Sequence, residues 1–175
     1  MRIGFISTRF HGTDGVSLEA SKWGKVLEHD LGHECFWFGG KLDTPKHKSF
    51  LCDEAFFGHE SVVSLQEKLF NPSIALTGQI KNQINEMEFY LGDCLEKFTN
   101  QFSLDIIIPQ NVLAIPMHVP MGLAVTNLSK KRIPTIAHHH DFFWERDRFV
   151  KGCAGEYLEK AFPPPITDRF EHVVI

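Results

Sequence analysis

Residues 2–40 read RIGFISTRFHGTDGVSLEASKWGKVLEHDLGHECFWFGG, and the order of patterns in this stretch decides the fold class. Arg2 to Thr8 is mostly apolar with little alternation, as a strand covered on both faces of a parallel sheet requires. It runs into a loop that holds Gly12 and Gly15. Val16, Ala20, Trp23, Leu27 and Leu31 then recur at helical spacing, and Gly32 stands where a helix ends on a left-handed residue. "HECFWFGG" supplies a second strand. Strand, glycine loop, helix and strand form one βαβ unit, whose crossover is right-handed in nearly all proteins.

Outward from this unit the alternation continues. Residues 41–60 carry little pattern and read as a loop with a short strand. Ser61 is placed to cap a helix bearing Val62, Leu65 and Leu69, stopped by Asn71-Pro72. Ile80, Ile84, Met87, Leu91, Leu95 and Phe98 mark the core-facing stripe of a longer helix. "LDIIIPQ" is a further buried strand, "NVLAIPMHVPMGLAVTNLSKK" a helix disturbed by Pro116 and Pro120, and "IPTIAHHH" the next strand. A helix near Ala154 to Ala161 and a last strand at "EHVVI" complete the series. The expectation is a single α/β domain over residues 1–175: a Rossmann-like, three-layer arrangement around a central, mostly parallel sheet.

Composition narrows the function classes. With 175 residues and 43% hydrophobic content the chain can bury one sizeable core. A formal charge of -4 and a pI near 6.2 offer no basic stripe for nucleic acid, and Lys130-Lys131-Arg132 reads as a solvated helix end. Cys35, Cys52, Cys94 and Cys153 lie far apart without a CxxC pair, which points to reduced thiols and a cytoplasmic setting. The N-terminus lacks the apolar segment of a secretory signal. The most apolar long stretch, Phe102 to Leu128, is interrupted by Asp105, Gln110, Asn111, His118 and three prolines, so no transmembrane segment is expected.

Three groups of residues carry chemistry. In "HGTDGVS" small residues permit close backbone approach, and the helix start offers unpaired N–H groups to a phosphate or a sugar hydroxyl. The spacing is G-x-x-G, and "FWFGG" lacks an acidic residue for a ribose, which argues against a dinucleotide. An ordinary tight turn would use the same glycines. His138-His139-His140-Asp141 falls at the C-terminal end of a strand, where open parallel sheets bind ligands. On a strand His138 and His140 share one face and His139 the other, so the three cannot hold one ion together. A zinc site would need His11, His59 or His118, and no HExxH or CxxC spacing supports one, so no metal is assigned. His138, deepest in the strand, reads as a buried imidazole bonded to backbone, and His140-Asp141 as functional. "FFWERDRF" has two readings: aromatics and Arg146 or Arg148 gripping an anionic sugar, or a surface helix laced with ion pairs.

The ordered set "RIGFIS", "GTDGV", "LGHECFWFGG", "LDIIIPQN" and "RIPTIAHHHDFFWER" resembles the N-terminal half of retaining glycosyltransferases with the GT-B fold, of the large family-4 type. Leu27 and Gly32-His33-Glu34 match that family's "L-x-x-x-G-H-x-V" with one extra residue, and Ile133-Pro134 through His140-Asp141 match its "x-I-P-x-x-x-x-x-H-D". The resemblance spans nearly the whole chain. It implies catalytic positions at His140 and Asp141, with His140 beside the reacting sugar. It also implies substrate contacts at Gly15, Val16 and Asn111, with Gly15 and Val16 facing donor diphosphate and acceptor; Gly12, His139 and Arg146, from the residue patterns above, are expected to join them. A nucleotide sugar is then donor and substrate, with no cofactor besides. The family's donor-binding half and its E-x7-E motif would lie beyond Ile175, so the chain alone is expected to fold without catalysing. Two other classes stay open: a stand-alone carbohydrate or nucleotide binding module, and a histidine-centred metal-dependent hydrolase.

Overall fold

A computed structural model describes residues 1–131, 133–165 and 169–175. Arg2–Ile6 forms strand β1, Gly15–Lys25 helix α1, continued by a π turn over Val26–Asp30, and Glu34–Gly39 strand β2. Gly32 has φ 67, the left-handed residue expected after this helix. Short strand β3 spans Ser49–Leu51 between two 3-10 turns. Helix α2 is Glu60–Leu69, α3 Gly78–Gln101, β4 Ile106–Pro109, α4 Val119–Lys131, β5 Thr135–His139, α5 Gly155–Ala161 and β6 Phe170–Val174.

All six strands lie in one sheet in the order β3-β2-β1-β4-β5-β6, and every pairing is parallel. The α/β, Rossmann-like expectation holds. Side chains alternate across the sheet as strand geometry demands. Ile3, Phe5, Cys35, Trp37 and Ile108 pack with Ala20 and Trp23 of α1 on one face. Ile6, Phe36, Phe38 and Ile107 meet Leu91, Leu95, Phe98 and Val125 of α3 and α4 on the other. Gly4 lies under the end of α3 and the residues that follow it: a Cβ there would come within 2.4 Å of Leu104 and 3.0 Å of Phe98.

Two local expectations are corrected. Helix α2 begins at Glu60 with extended His59 as its cap residue, so Ser61 lies inside the first turn, its hydroxyl 2.8 Å from His59 Nδ1. Residues 111–131 are not one disturbed helix. Asn111 to His118 form a loop, and Pro120 falls in the first turn of α4, where its missing N–H leaves no helical bond unmade. Lys130 is exposed near the end of α4, while Arg132, part of the same expected basic run, lies outside the described residues. Among the described residues no helix is long and apolar enough to cross a membrane. The four cysteines are free thiols.

Candidate functional site at the carboxyl edge of the sheet

Strand order reverses between β1 and β4, and the loops that leave β1, β4 and β5 meet at that point. The β1 loop is shaped by Gly12, with φ 78, whose N–H donates to Asp43 Oδ2 at 2.8 Å. Asp14 caps α1, accepting from Ser17 N at 3.2 Å and Ser17 Oγ at 2.8 Å. One of the expected free N–H groups is thus taken by the chain's own carboxylate. Gly15 opens the helix with nothing within 4 Å of where a Cβ would stand.

The β4 loop turns on Asn111, with φ 58, a left-handed value that asparagine tolerates better than most residues. Its N–H donates to His138 O at 2.8 Å, which ties the loop to β5. Its side chain does more: Oδ1 accepts from His140 N and Nδ2 donates to Asp141 Oδ1, each at 3.0 Å. The second carboxylate oxygen of Asp141 accepts from Arg146, Nε at 2.8 Å and a terminal nitrogen besides. Asp141 is therefore a structural hub whose oxygens are both engaged.

Gln110, buried at 1% exposure, joins the histidines. His138 Nδ1 donates to Gln110 Oε1 at 2.9 Å, and His140 Nε2 approaches the same oxygen at 3.4 Å. Because an amide oxygen only accepts, these contacts place the protons on His138 Nδ1 and His140 Nε2. His138 stacks on Trp23 of α1 at 4.5 Å and tilts against His140 at 4.8 Å, so the two share a sheet face as alternation requires. The partner of His138 is a side chain rather than the backbone first expected. Burial lowers the pKa of both imidazoles; the positive charge of His140 adds to the effect on His138, and Glu19 opposes it for both. His140 is half-buried and the more open of the pair.

His139 lies on the opposite face, apart from this cluster. It is 1% exposed, with Nε2 2.7 Å from His172 Nδ1 of β6 and the rings stacked at 5.0 Å. The "FFWERDRF" segment is not a surface helix but two 3-10 turns, Phe143–Glu145 and Asp147–Phe149. Phe142 and Trp144 stack at 4.5 Å, with Trp144 exposed, and Arg148 lies over Phe149.

A cleft of about 120 Å³ opens where the β1 and β4 loops face each other, with Val16 and Phe57 as apolar wall and Arg9, Gln110 and Asn111 as polar lining. The structure thus brings together His140, Asp141, Asn111 and Arg146, sets Val16 in the adjoining cleft, and leaves His139 elsewhere. Sequence reasoning missed Gln110 and Arg9. The signal for Gln110 was a polar residue ending the apolar run "IIIPQ"; Arg9 stood alone before the glycine loop without any pattern. No three His, Cys, Asp or Glu side chains among the described residues gather as a metal-binding set.

Along its full length the chain is similar to two proteins named mannosylglucosylglycerate synthase. It is 32% identical over 185 residues to the one from Thermotoga maritima and 30% identical over 181 residues to the one from Petrotoga mobilis. It spans 40% of the length of each. No family model matches the chain, and no solved structure matches it.

Proposed function

We propose that this chain is the acceptor-side domain of a retaining GT-B glycosyltransferase that moves a sugar from a nucleotide donor to an acceptor hydroxyl. The observation that carries this reading is the similarity, over all of the chain, to two synthases whose name describes a sugar joined to a glucoside of glycerate. The loops gathered at the strand switch point support it, since that edge is where such sheets bind ligands. A donor-binding domain would supply the other wall of the cleft.

The transfer breaks the bond between the anomeric carbon and the leaving phosphate oxygen and forms one to the acceptor oxygen, whose proton passes to the leaving phosphate. Positive charge develops at the anomeric carbon on the way. A neutral His140 suits that place, because an imidazole held below its ordinary pKa by burial offers a dipole without repelling the developing cation. Its Nε2–H is directed to Gln110, which leaves Nδ1 as a lone pair. Asn111, Asp141 and Arg146 hold the backbone that carries His140, so their contribution is positioning. His139 and Gly12 contribute through strand and loop geometry, Gly15 and Val16 by leaving room for substrate. The chemistry requires no metal or cofactor of the protein's own.

The test is a transfer assay with a panel of nucleotide sugars and a glucoside of glycerate. The full-length protein carrying this chain should form product whose new linkage keeps the donor's anomeric configuration, read by proton NMR, and activity should survive a chelator. The 175-residue chain alone should melt cooperatively yet transfer nothing. Inverted product, or turnover by the isolated chain, would overturn the assignment.

A further inference from the structure

We propose that Arg9 selects an acceptor that carries a carboxylate, holding that group in the small cleft between the β1 and β4 loops; this rests on the glycosyltransferase reading. Arg9 is fixed from two sides. Its guanidinium lies over the ring of Phe57, 5.2 Å from the centroid, and its Nε stands 3.4 Å from Asp14 Oδ2. Those contacts use the face of the guanidinium and one nitrogen. The two terminal nitrogens have no hydrogen-bond partner among the described residues, yet Arg9 lines the cleft. A flat, pre-oriented fork of N–H donors is the geometry that a carboxylate meets in two parallel bonds.

Asp14 does not block this. Its carboxylate already serves Ser17 at the start of α1, so the Arg9 pairing is secondary, and Asp14 keeps partners when a second anion arrives. The cleft, about 120 Å³ and open at its mouth, leaves room for a carboxylate together with its hydroxyl-bearing neighbours. Ser7, Thr8 and Asn111 line the same space with groups that bond hydroxyls, and Gln110, also in the lining, keeps an Nε2 without a partner among the described residues. Gln110 and Asn111 are the residues that touch His138 and His140. An acceptor anchored by its acid end at Arg9 thereby places its sugar end toward the His140 edge.

Two measurements test this. Sodium glycerate titrated into the full-length protein should shift the Arg9 side-chain Nε–H resonance, and Arg9→Gln should abolish the binding. In the transfer assay, a glucoside of glycerate is compared with the matching glucoside of glycerol, which carries a neutral hydroxymethyl group in place of the carboxylate. Arg9→Gln should lower kcat/KM for the acid acceptor by roughly 10- to 100-fold and leave the neutral one within about threefold, since a charge-assisted pair has been lost. Arg9→Lys should fall between, keeping the charge without the fork. Equal losses for both acceptors, or none for either, would overturn the proposal while leaving the transferase reading intact. Absence of transfer to any acceptor, with glycerate binding at Arg9 intact, would instead overturn that reading and keep the site.

Discussion

Asn111 and Asp141, 30 positions apart in sequence, are joined by a hydrogen bond of 3.0 Å, and Asn111 also receives the His140 N–H at the same distance. One asparagine thus sets the height of the loop that carries the candidate catalytic imidazole. It does so from φ 58, where side chains are strained.

Substitutions at Asn111 separate these two parts. Asn111→Gly keeps the backbone free to adopt the turn but removes both side-chain bonds, whereas Asn111→Ala adds strain to that loss. Both should cut transfer activity, and Ala should be less stable than Gly by about 1 kcal/mol. Urea unfolding of the two variants measures the difference; equal stabilities would mean that the left-handed turn is not retained in solution.

On the proposed reading, in which His140 stabilises developing charge, His140→Ala should lower turnover on the order of a hundredfold or more with little change in melting temperature, because the residue is half-buried at an edge rather than part of the core. His138→Ala should act mainly on stability. It is fully buried, stacked on Trp23 and bonded to Gln110, so its removal leaves a cavity and an unsatisfied amide. The reverse pattern would show that the two imidazoles have been assigned to the wrong tasks.

Acid should destabilise the domain over a defined window. Burial pushes His118 down to about 4, against the favourable bond to Glu54 O; it does the same to His139, helped by the charge of His172. The ordinary value is near 6.5, so above it both residues are neutral whether folded or not, and their contribution to stability is fully present. As pH falls from 6.5 toward 4 the unfolded chain binds protons that the folded one refuses, and stability declines by about 1.4 kcal/mol per pH unit for each group. Melting temperature against pH reads this directly. His139→Gln should show a shallower slope, by about one proton, and an unchanged slope would exclude His139 as a contributor.

Two glycines should respond with opposite sign. A Cβ on Gly40 would stand 1.9 Å from the backbone nitrogen of Phe56, so Gly40→Ala must displace the main chain and should cost about 1–3 kcal/mol or more. Gly92 lies inside α3 with open space at its Cβ, and Gly92→Ala should stabilise by about 0.5–1 kcal/mol through helix propensity. Thermal denaturation of the pair decides whether the close approach at Gly40 exists.

The sequence by itself determined the class of fold, because that class depends on local repetition. The apolar runs of β1, β2 and β4, the 3.6-residue stripe of α3 and the left-handed Gly32 are each legible within a few neighbours. The opposed faces of His138 and His139 were legible for the same reason, as a strand alternates whatever lies around it. Where two local signals competed, the reading slipped. Pro120 carries the signal of a helix breaker, yet α4 begins beside it, and Ser61 carries that of a cap, yet α2 starts a residue earlier. The tertiary structure alone decided who meets whom at the sheet edge. Gln110 reaches both His138 and His140, Asn111 reaches Asp141, Arg9 lies over Phe57, and His139 finds His172. Each contact depends on the order β1-β4-β5-β6 and on the residue-to-residue register between strands far apart in the chain. Shifting one strand by a single residue would turn every side chain to the opposite face, and no local pattern encodes that alignment.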